Sequence, residues 1–478
     1  MKLILDKKRF NLLFVIVGVL YVIFHLLTLD ISPLPWFDET FMLNIAKNKI
    51  DTGAYLFTIA PPYESGNNEA LIYGPLYFII STTVLKIFGV GIFQYRIVGV
   101  FFAFLVLLIS YFTARKNSFF LIFLLALDPL FLAASHSGRM DTMALTLGLA
   151  SLYLFFESEK KNNYWLLIGA GLLSGLTLLT TPRAFVTLFG IGFLLLLNVL
   201  RYRTKESILK SIVWGIPVVV LYGIWVIYAF GSVNGLLDYY ASFDSAGFVQ
   251  FFNVRISTIQ KPLILVLSVT LIWSIWLKGK AFFNDRNIVY LSSLFIFYLL
   301  IFDTGIYSIL ILPFIYLLIV DNFPSFKFDN RFVFKALLAF NVLFFLIKGT
   351  VIFLERGQRN HEKISDFIGL NIPEGANIVG DEMYYYAAIE NNSAFQYYHL
   401  YKSINGRYAY QRDVFKYEYV ILSNRFKGTV IEKLYVEDKC EIIATFKSEK
   451  NKTAQMIESF LPIKILNEFD CVIYKLKK

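Results

Sequence analysis

The residues that could carry out chemistry in this chain of 478 residues are a few carboxylates and arginines lying between long apolar runs. They are Asp38 with Glu39, Glu69, Arg96, Arg139 with Asp141, and Arg183. A carboxylate can take a proton from an attacking hydroxyl, and guanidinium groups bind phosphate oxygens through paired hydrogen bonds. If the fold brings these residues to one side of a membrane, the three arginines predict a cradle for an anionic headgroup.

Each of these residues also has a simpler interpretation. Asp38 precedes a stretch that is typical of a helix and Asp141 opens an apolar run, so either could only cap a helix. Glu39 cannot share a helix face with Asp38, because adjacent residues point about 100° apart. At most one of these two carboxylates is therefore expected to be catalytic. Each arginine could simply extend its guanidinium to the membrane interface.

The composition is that of an integral membrane protein. Hydrophobic residues make up 57% of the chain and charged residues 17%, and the mean hydropathy of +0.60 is too high for a soluble globular protein. The net charge of +10 does not indicate nucleic acid as a partner, because most Lys and Arg lie between apolar runs, where they set orientation. Two cysteines and four histidines leave too few ligands for a zinc site or an iron–sulfur cluster.

About twelve apolar runs are long enough to cross a bilayer as helices. The first, residues 10–29, follows a short basic stretch and has no cleavage site of small residues, so it predicts a retained anchor with the amino terminus inside. Whether residues 71–93 cross the membrane determines on which side of the membrane each later loop lies. If this run lies along the outer surface, most loop Lys and Arg fall inside, whereas a crossing would put most of them outside. We therefore interpret it as an interfacial helix, which leaves about eleven crossings.

The carboxyl-terminal residues 355–478 have an ordinary soluble composition. They alternate apolar runs at 376–379, 418–422 and 471–474 with polar turns, and they include a helical stretch near 363–369, which predicts a small α/β domain. An odd number of crossings places this domain outside, on the same side as the charged residues. Cys440 and Cys471 both fall in it, where they could form a disulfide or remain buried thiols.

The predicted fold class is thus an α-helical polytopic membrane protein with a small extracytoplasmic α/β domain. The transmembrane domain covers residues 1–354, and its first outer loop, residues 30–96, carries juxtamembrane helices. The soluble domain covers residues 355–478. Asp128-Pro129 falls within an apolar run, where it could kink the helix and pair internally, and the sequence assigns no role to Asp128. Gly169, Gly171 and Gly175 indicate close helix contact.

A series of short motifs occurs along the first part of the chain. In order, they are Pro35-Trp36-Phe37-Asp38-Glu39-Thr40, Tyr73-Gly74-Pro75-Leu76-Tyr77, Phe88-Gly89 followed by Tyr95-Arg96, Ser137-Gly138-Arg139-Met140-Asp141, and Thr181-Pro182-Arg183. This ordered set resembles that of GT-C glycosyltransferases, and most closely the branch of protein O-mannosyltransferases and lipid A aminoarabinose transferases. The similarity extends weakly to Tyr307 and Pro313, and beyond residue 355 it is only architectural.

The resemblance implies roles for individual residues. Asp38 would be the catalytic carboxylate in the first outer loop, and Asp141 a second acidic residue of the site. The substrate-binding set, with the arginines near a polyprenyl phosphate, would be Glu39, Glu69, Tyr73, Arg96, Arg139, Arg183 and Tyr307. Two positions depart from the family: Gly74 stands where relatives often carry Lys or His, and Asp303 where some carry Lys.

The resemblance also implies the reaction. An enzyme of this kind moves a hexosyl or pentosyl sugar from a polyprenyl-phosphate-linked donor to a hydroxyl of a lipid, glycan or protein acceptor at the outer face of the membrane, with inversion at the anomeric carbon. The leaving phosphate is already anionic and needs charge stabilisation rather than a proton. No cofactor is therefore required, although a divalent metal could bind if Asp38, Glu39, Glu69 and Asp141 converge.

A protein of another class could share these features. A transporter or flippase of a lipid-linked saccharide would use the same arginines and the same membrane lipids, but transporters often show two halves related by a repeat, and the sequence shows no internal repeat. A structural membrane scaffold would not need acids and arginines concentrated on one leaflet. The sequence therefore favours transfer of a sugar.

Overall fold

The protein is described by a computed structural model. The structure describes residues 7–59, 73–114, 118–242, 261–300, 306–322, 331–398, 401–402, 408–409, 416–448, 451–459 and 468–477. Helices dominate these residues, as the composition predicts, and strands occur in the carboxyl-terminal part. The α-helical membrane protein with a small carboxyl-terminal sheet is thereby confirmed.

The helices before residue 355 are apolar for the most part. They are α1 (Lys7–Thr28), α2 (Phe37–Thr52), α3 (Pro75–Phe88), α4 (Ile92–Thr113), α5 (Ser118–Ala126), α6 (Pro129–His136), α7 (Asp141–Lys161), α8 (Tyr164–Thr180), α9 (Phe185–Tyr202), α10 (Lys205–Phe230), α11 (Val233–Ser242), α12 (Lys261–Lys278), α13 (Asp285–Leu300), α14 (Leu312–Asn322) and α15 (Arg331–Leu354). Short 3₁₀ turns include Pro182–Ala184 and Ile306–Leu310.

The carboxyl-terminal part alternates helices with strands. They are α16 (His361–Asn371), β1 (Asn377–Gly380), α17 (Tyr385–Glu390), β2 (Ala394–Tyr397), β3 (Tyr401–Lys402), β4 (Tyr408–Ala409), β5 (Tyr419–Ser423), α18 (Val430–Tyr435), β6 (Cys440–Phe446), α19 (Lys452–Ser459) and β7 (Cys471–Leu476). The predicted helix and the three predicted strands correspond to α16, β1, β5 and β7.

The chain forms two compact units, each assembled from separate stretches. The first, called here the membrane unit, comprises Met1–Leu26, Leu71–Tyr77 and Ile97–Phe345. The second, called here the composite unit, comprises Leu27–Ala70, Phe78–Arg96 and Leu346–Lys478. The composite unit therefore joins most of the predicted first outer loop to the carboxyl-terminal segment.

Apolar helices of spanning length occur in the described residues, as expected of a membrane protein. Five helices are long and apolar enough to cross a bilayer, and α5 with α6 would supply a sixth crossing as one bent span. Shorter apolar helices, of 10 to 17 residues, include α3, α8 and α14. The described helices thus agree with a polytopic protein, while the total of about eleven crossings stays a prediction.

The break between α5 and α6 follows from Asp128-Pro129. The two helices meet at an angle of 62°, because proline cannot continue the hydrogen-bond ladder of α5 and is well suited to start α6. The buried Asp128 caps α6 by accepting bonds from the amides of Leu130 and Phe131 at 2.8 and 3.1 Å. Its other oxygen accepts a bond from the Tyr316 hydroxyl at 2.7 Å. The predicted kink and internal pairing are confirmed.

Close packing of α8 against α10 explains the glycines of α8. A Cβ added at Gly171 would overlap the backbone of Trp214, and one at Gly175 would press on Leu221. The absence of side chains at these positions lets the two helices approach closely. The packing role predicted for these glycines is confirmed at both positions.

The sheet of the composite unit has five strands in the order β2-β1-β5-β7-β6. The inner strands β1 and β5 run parallel, and β2 is parallel to β1, whereas β7 is antiparallel to both β5 and β6. Strand β5 is buried along its whole length, as expected of a continuous apolar run in the middle of a sheet. The segment after α2 also reaches this sheet, because the amide of Tyr397 in β2 donates to the carbonyl of Ile59 at 2.9 Å.

Both cysteines are free thiols. The antiparallel register places Cys440 opposite Leu476 and Cys471 opposite Phe446, so the thiols lie at opposite ends of a ladder that spans roughly 20 Å. A disulfide needs Cα atoms within about 7 Å, and the disulfide interpretation is therefore wrong. Burial raises the pKa of Cys471 to about 12, which keeps this residue a neutral thiol at ordinary pH.

Candidate active site

Asp38 lies in the first turn of α2 and does not cap it. The cap position belongs to Trp36, and no side chain there bonds to the amides of the first turn. Asp38 is half-buried, with Phe37 before it and Glu39 after it on other faces of the helix. The capping interpretation is therefore wrong for this residue.

Glu39 is the fully buried neighbour of Asp38 and forms a two-pronged ion pair with Arg96. The Arg96 Nε donates to Oε1 at 2.7 Å and Nη2 donates to Oε2 at 2.8 Å, with both side chains at 0% exposure. The Tyr386 hydroxyl adds a third bond to Oε1 at 3.0 Å. Burial raises the pKa of Glu39, and the ion pair with Arg96 opposes that rise.

Arg96 is also bonded on its remaining side. Its Nη1 donates to the backbone carbonyl of Leu29 at 2.8 Å, so its guanidinium joins the start of α4 to the segment before α2. A buried guanidinium with these partners is a structural link between elements of the composite unit.

Two more tyrosines from the carboxyl-terminal part contact α2. The Tyr397 hydroxyl is hydrogen-bonded to the Thr40 hydroxyl, and its ring lies 5.1 Å from that of Phe37. The Tyr385 hydroxyl accepts a bond from the Asn44 amide at 3.0 Å. The buried face of α2 is thus held by side chains from a distant part of the sequence.

Arg139 and Asp141 form a second buried ion pair, this one in the membrane unit. The Arg139 Nε donates to the Asp141 Oδ2 at 2.5 Å, and the two side chains are 1% and 2% exposed. Asp141 is the first residue of α7, and Met140 occupies the cap position without a side-chain bond. The capping interpretation is therefore wrong for Asp141 as well.

Arg183 lies beside this pair and is held by aromatic rings. Helix α8 ends at Thr180, and Pro182 starts a short 3₁₀ turn that carries Arg183. The guanidinium carbon lies 4.4 Å from the centre of the Tyr307 ring and 5.3 Å from that of Tyr73. The Arg139 guanidinium lies 4.8 Å from the same Tyr307 ring. The structure therefore brings together Tyr73, Arg139, Asp141, Arg183 and Tyr307, which we call the arginine cluster.

Gly74, where the sequence departs from the family, adjoins this cluster through Tyr73. Its φ of +95° lies in the region that favours glycine, and an added Cβ would overlap the carbonyl of Leu179. The backbone of this turn thus packs directly on the end of α8, which leaves no room for the longer side chain that the family often has.

The remaining expected site residues have different outcomes. Asp38, Glu39 and Arg96 belong to the composite unit and the arginine cluster to the membrane unit. Glu69 and Asp303 lie outside the described residues. Among the described residues, no group of three or more His, Cys, Asp or Glu side chains could hold a metal ion.

The tyrosines that hold α2 are not predicted by the sequence. Tyr385, Tyr386 and Tyr397 are ordinary core residues by type, and nothing in their spacing points to a helix more than three hundred residues away. A signal was present on α2 itself, where Thr40, Asn44 and Asn48 form a polar row at helical spacing. Such a row on an otherwise buried helix face predicts polar partners.

Comparison with known proteins supports the resemblance that the sequence motifs indicate. Residues 73–228 match the family model described as dolichyl-phosphate-mannose-protein mannosyltransferase. This match covers the motifs around Tyr73, Arg139 and Arg183. No curated protein matches the chain.

Solved structures share the fold over nearly the whole chain. ArnT from Cupriavidus metallidurans in the apo state is 12% identical with a TM-score of 0.58, over 97% of this chain and 98% of ArnT. The same protein bound to undecaprenyl phosphate gives the same score. The archaeal oligosaccharyltransferase AglB from Archaeoglobus fulgidus, in complex with an inhibitory peptide and a dolichol-phosphate, is 12% identical with a TM-score of 0.52, over 88% of this chain and 70% of AglB.

The fold and the family match together identify the class of protein. The chain is an integral membrane protein whose fold is similar to that of ArnT, and its residues 73–228 are similar to the dolichyl-phosphate-mannose-protein mannosyltransferase family. The resemblance predicted from the motifs is confirmed.

Proposed function

We propose that this protein transfers a sugar from a polyprenyl-phosphate-linked donor to an acceptor hydroxyl at the outer face of the membrane, with inversion at the anomeric carbon. The proposal rests on the arginine cluster, on the half-buried Asp38, and on the family match. The relatives whose structures hold undecaprenyl phosphate or dolichol-phosphate support the lipid class of the donor.

One observation carries the proposal. Arg183 is held by the faces of Tyr73 and Tyr307, and within the described part of the chain it makes no ion pair. Aromatic faces leave the N–H groups at the edge of a guanidinium free to donate. A cation placed in this way beside the Arg139–Asp141 pair can bind an anionic phosphate through charge-assisted hydrogen bonds.

Asp38 is the general base of the proposed reaction. Its carboxylate takes the proton of the acceptor hydroxyl as the acceptor oxygen forms a bond to the anomeric carbon. The bond from that carbon to the phosphate oxygen breaks on the opposite face, and the lipid phosphate departs with the electron pair. Arg183 and Arg139 stabilise the added negative charge on the departing phosphate.

We propose roles for Glu39 and Arg96 that differ from those that the resemblance implies. Their charges are matched to each other, and the Arg96 donors are directed at Glu39 and at the Leu29 carbonyl. We therefore assign phosphate binding to Arg139 and Arg183 and give Glu39 and Arg96 a structural role. Asp141 orients Arg139, and the roles of Glu69 and of the acceptor-binding residues stay predictions.

The test uses the purified full-length protein in lipid nanodiscs. A panel of polyprenyl-phosphate-linked hexoses and pentoses is incubated with an envelope extract as the source of acceptors, and release of polyprenyl phosphate is followed by mass spectrometry. We expect release with one class of donor, and about 10²- to 10⁴-fold slower release for Asp38→Asn, because the base is lost. Unchanged release by this variant would remove Asp38 as the base.

Arg183 is tested separately by its dependence on donor concentration. Arg183→Ala is expected to raise the apparent KM for the donor strongly, and Arg183→Lys to raise it less, since lysine keeps the charge but loses the planar fork. Exposed Arg201, at the end of α9, offers Arg201→Ala as the matched control. Equal KM values for all four proteins would contradict phosphate binding by Arg183.

Movement of the intact lipid-linked sugar across the bilayer without release of polyprenyl phosphate would indicate a flippase instead.

A further inference from the structure

The inner face of α2 is fixed by hydroxyl groups from the carboxyl-terminal segment at three successive points. Tyr397 bonds to Thr40, Tyr386 to Glu39, and Tyr385 to Asn44. All six side chains belong to the composite unit and are buried. The contacts extend over the first half of α2, which is the half that carries Asp38.

The contact between Tyr386 and Glu39 involves the greatest electrostatic cost, because it buries a carboxylate. A buried carboxylate is stable only when its oxygens are fully hydrogen-bonded. Arg96 donates one hydrogen bond to each oxygen of Glu39, and the Tyr386 hydroxyl donates an additional bond to Oε1. Loss of the tyrosine hydroxyl weakens the solvation of this charge inside the protein, and the helix can respond by shifting or rotating.

A rotation of α2 acts directly on Asp38. Adjacent residues on a helix are related by a turn of about 100° and a rise of about 1.5 Å, so the direction of the Asp38 side chain is set by the positions of Glu39 and Thr40. A general base must lie within hydrogen-bond reach of the proton it removes, and a displacement of about 1 Å at such a group can cost about 10²-fold in rate.

We infer that Tyr386, acting through the Glu39–Arg96 pair, is a positioning residue for Asp38, with Tyr397 and Thr40 as a second point of support. The inference rests on the proposed function, because it assigns to the carboxyl-terminal segment the task of orienting the base. It gives this segment a part in catalysis that does not require contact with the donor.

The decisive variant is Tyr386→Phe, which removes one hydroxyl and keeps the ring. Tyr384→Phe is the matched control: Tyr384 is equally buried, and its hydroxyl donates to the backbone carbonyls of Phe469 and Asp470 rather than to a side chain of α2. We expect Tyr386→Phe to lower kcat per folded molecule about 10- to 100-fold with the donor KM unchanged. Tyr384→Phe should keep the wild-type kcat.

A general loss of stability predicts a different pattern. It would lower the amount of folded protein in both variants without changing kcat per folded molecule. This kcat is measured on protein that has been purified by gel filtration in detergent. Wild-type kcat in folded Tyr386→Phe, or an equal decrease in kcat for both variants, would overturn the inference.

A second pair of variants keeps the inference testable if Tyr386→Phe does not fold. Thr40→Val removes the hydroxyl that meets Tyr397 and keeps the shape of the side chain, whereas Thr40→Ser keeps the hydroxyl. We expect kcat to fall in the valine variant and to be restored in the serine variant, at equal donor KM. Equal kcat in the two variants would contradict the inference.

The same assays separate this inference from the proposed function. Activity retained by Asp38→Asn would mean that the base is not Asp38, and the proposed function would fail at that residue. Loss of activity in Asp38→Asn together with full kcat in Tyr386→Phe and Thr40→Val would leave the proposed function intact and overturn the positioning role alone.

Discussion

Two neighbouring carboxylates, Asp38 and Glu39, have opposite environments in this protein. Glu39 is fully buried and bonded to Arg96 and Tyr386, whereas Asp38 is half-buried. Helical geometry alone predicts that the two point in different directions, so at most one of them is expected to be the catalytic acid. Glu39 is the buried one because Arg96 and Tyr386 bond to it, and no local sequence pattern predicts these partners.

A single residue also explains the departure from the family before Pro75. Gly74→Ala is expected to destabilise the protein much more than Gly89→Ala. Both positions have a positive φ, which costs an alanine about 1–2 kcal/mol, but only the Cβ at position 74 meets backbone, whereas nothing lies within 4 Å of a Cβ at Gly89. Thermal unfolding midpoints in detergent, measured by fluorescence-detected gel filtration, should therefore fall further for Gly74→Ala. Equal midpoints would show that the end of α8 can move away.

At the scale of elements, the bent pair α5–α6 shows how one polar residue shapes an apolar span. Asp128 caps α6 and accepts the Tyr316 hydroxyl of α14, which in turn accepts a bond from Asn341 of α15 at 3.2 Å. The Asn341 amide also donates to the Leu124 carbonyl of α5 at 3.2 Å. This network satisfies the amides of Leu130 and Phe131 and the carbonyl of Leu124 beside the break, as a broken helix in a membrane requires.

The hydrogen bonds of Asp128 predict the order in which three variants of this network lose stability. Asp128→Ala removes both the cap, about 0.5–2 kcal/mol, and the acceptor of a buried hydroxyl, about 1–3 kcal/mol. Tyr316→Phe keeps the cap but removes the bonds of the hydroxyl with Asp128 and Asn341, and Asp128→Asn keeps the capping oxygen. We expect the unfolding midpoint to be lowest for Asp128→Ala and higher for the other two variants. If Asp128→Ala and Asp128→Asn unfold together, the cap does not contribute.

At the scale of the whole molecule, the composite unit joins the segment that contains α2 to the carboxyl-terminal sheet. The sequence predicted the helix α16 and the strands β1, β5 and β7, because each has a clear local pattern of apolar and polar residues. It could not predict that α2 packs with this segment. Glu39 and Tyr386 are 347 residues apart, and such a pairing is decided by tertiary contacts rather than by periodicity.

The predicted orientation can be measured by labelling single cysteines with a membrane-impermeant maleimide in intact cells. Exposed Thr52, Lys427 and Lys160 are replaced one at a time by cysteine in a background of Cys440→Ser and Cys471→Ala. We expect positions 52 and 427 to react from outside and position 160 only after permeabilisation, because residues 71–93 are predicted not to cross. If these residues do cross, position 160 reacts from outside and positions 52 and 427 fall on opposite sides.

The joining of distant stretches in the composite unit has a consequence for biosynthesis. At a translation rate of about 5–20 residues per second, roughly 20 to 70 s pass between the appearance of Glu39 and that of Tyr386. During this interval α2 exists without the tyrosines that bond to its polar row. A ribosome that stalls before Tyr385 therefore releases a chain whose α2 still lacks the tyrosine bonds to Glu39, Thr40 and Asn44.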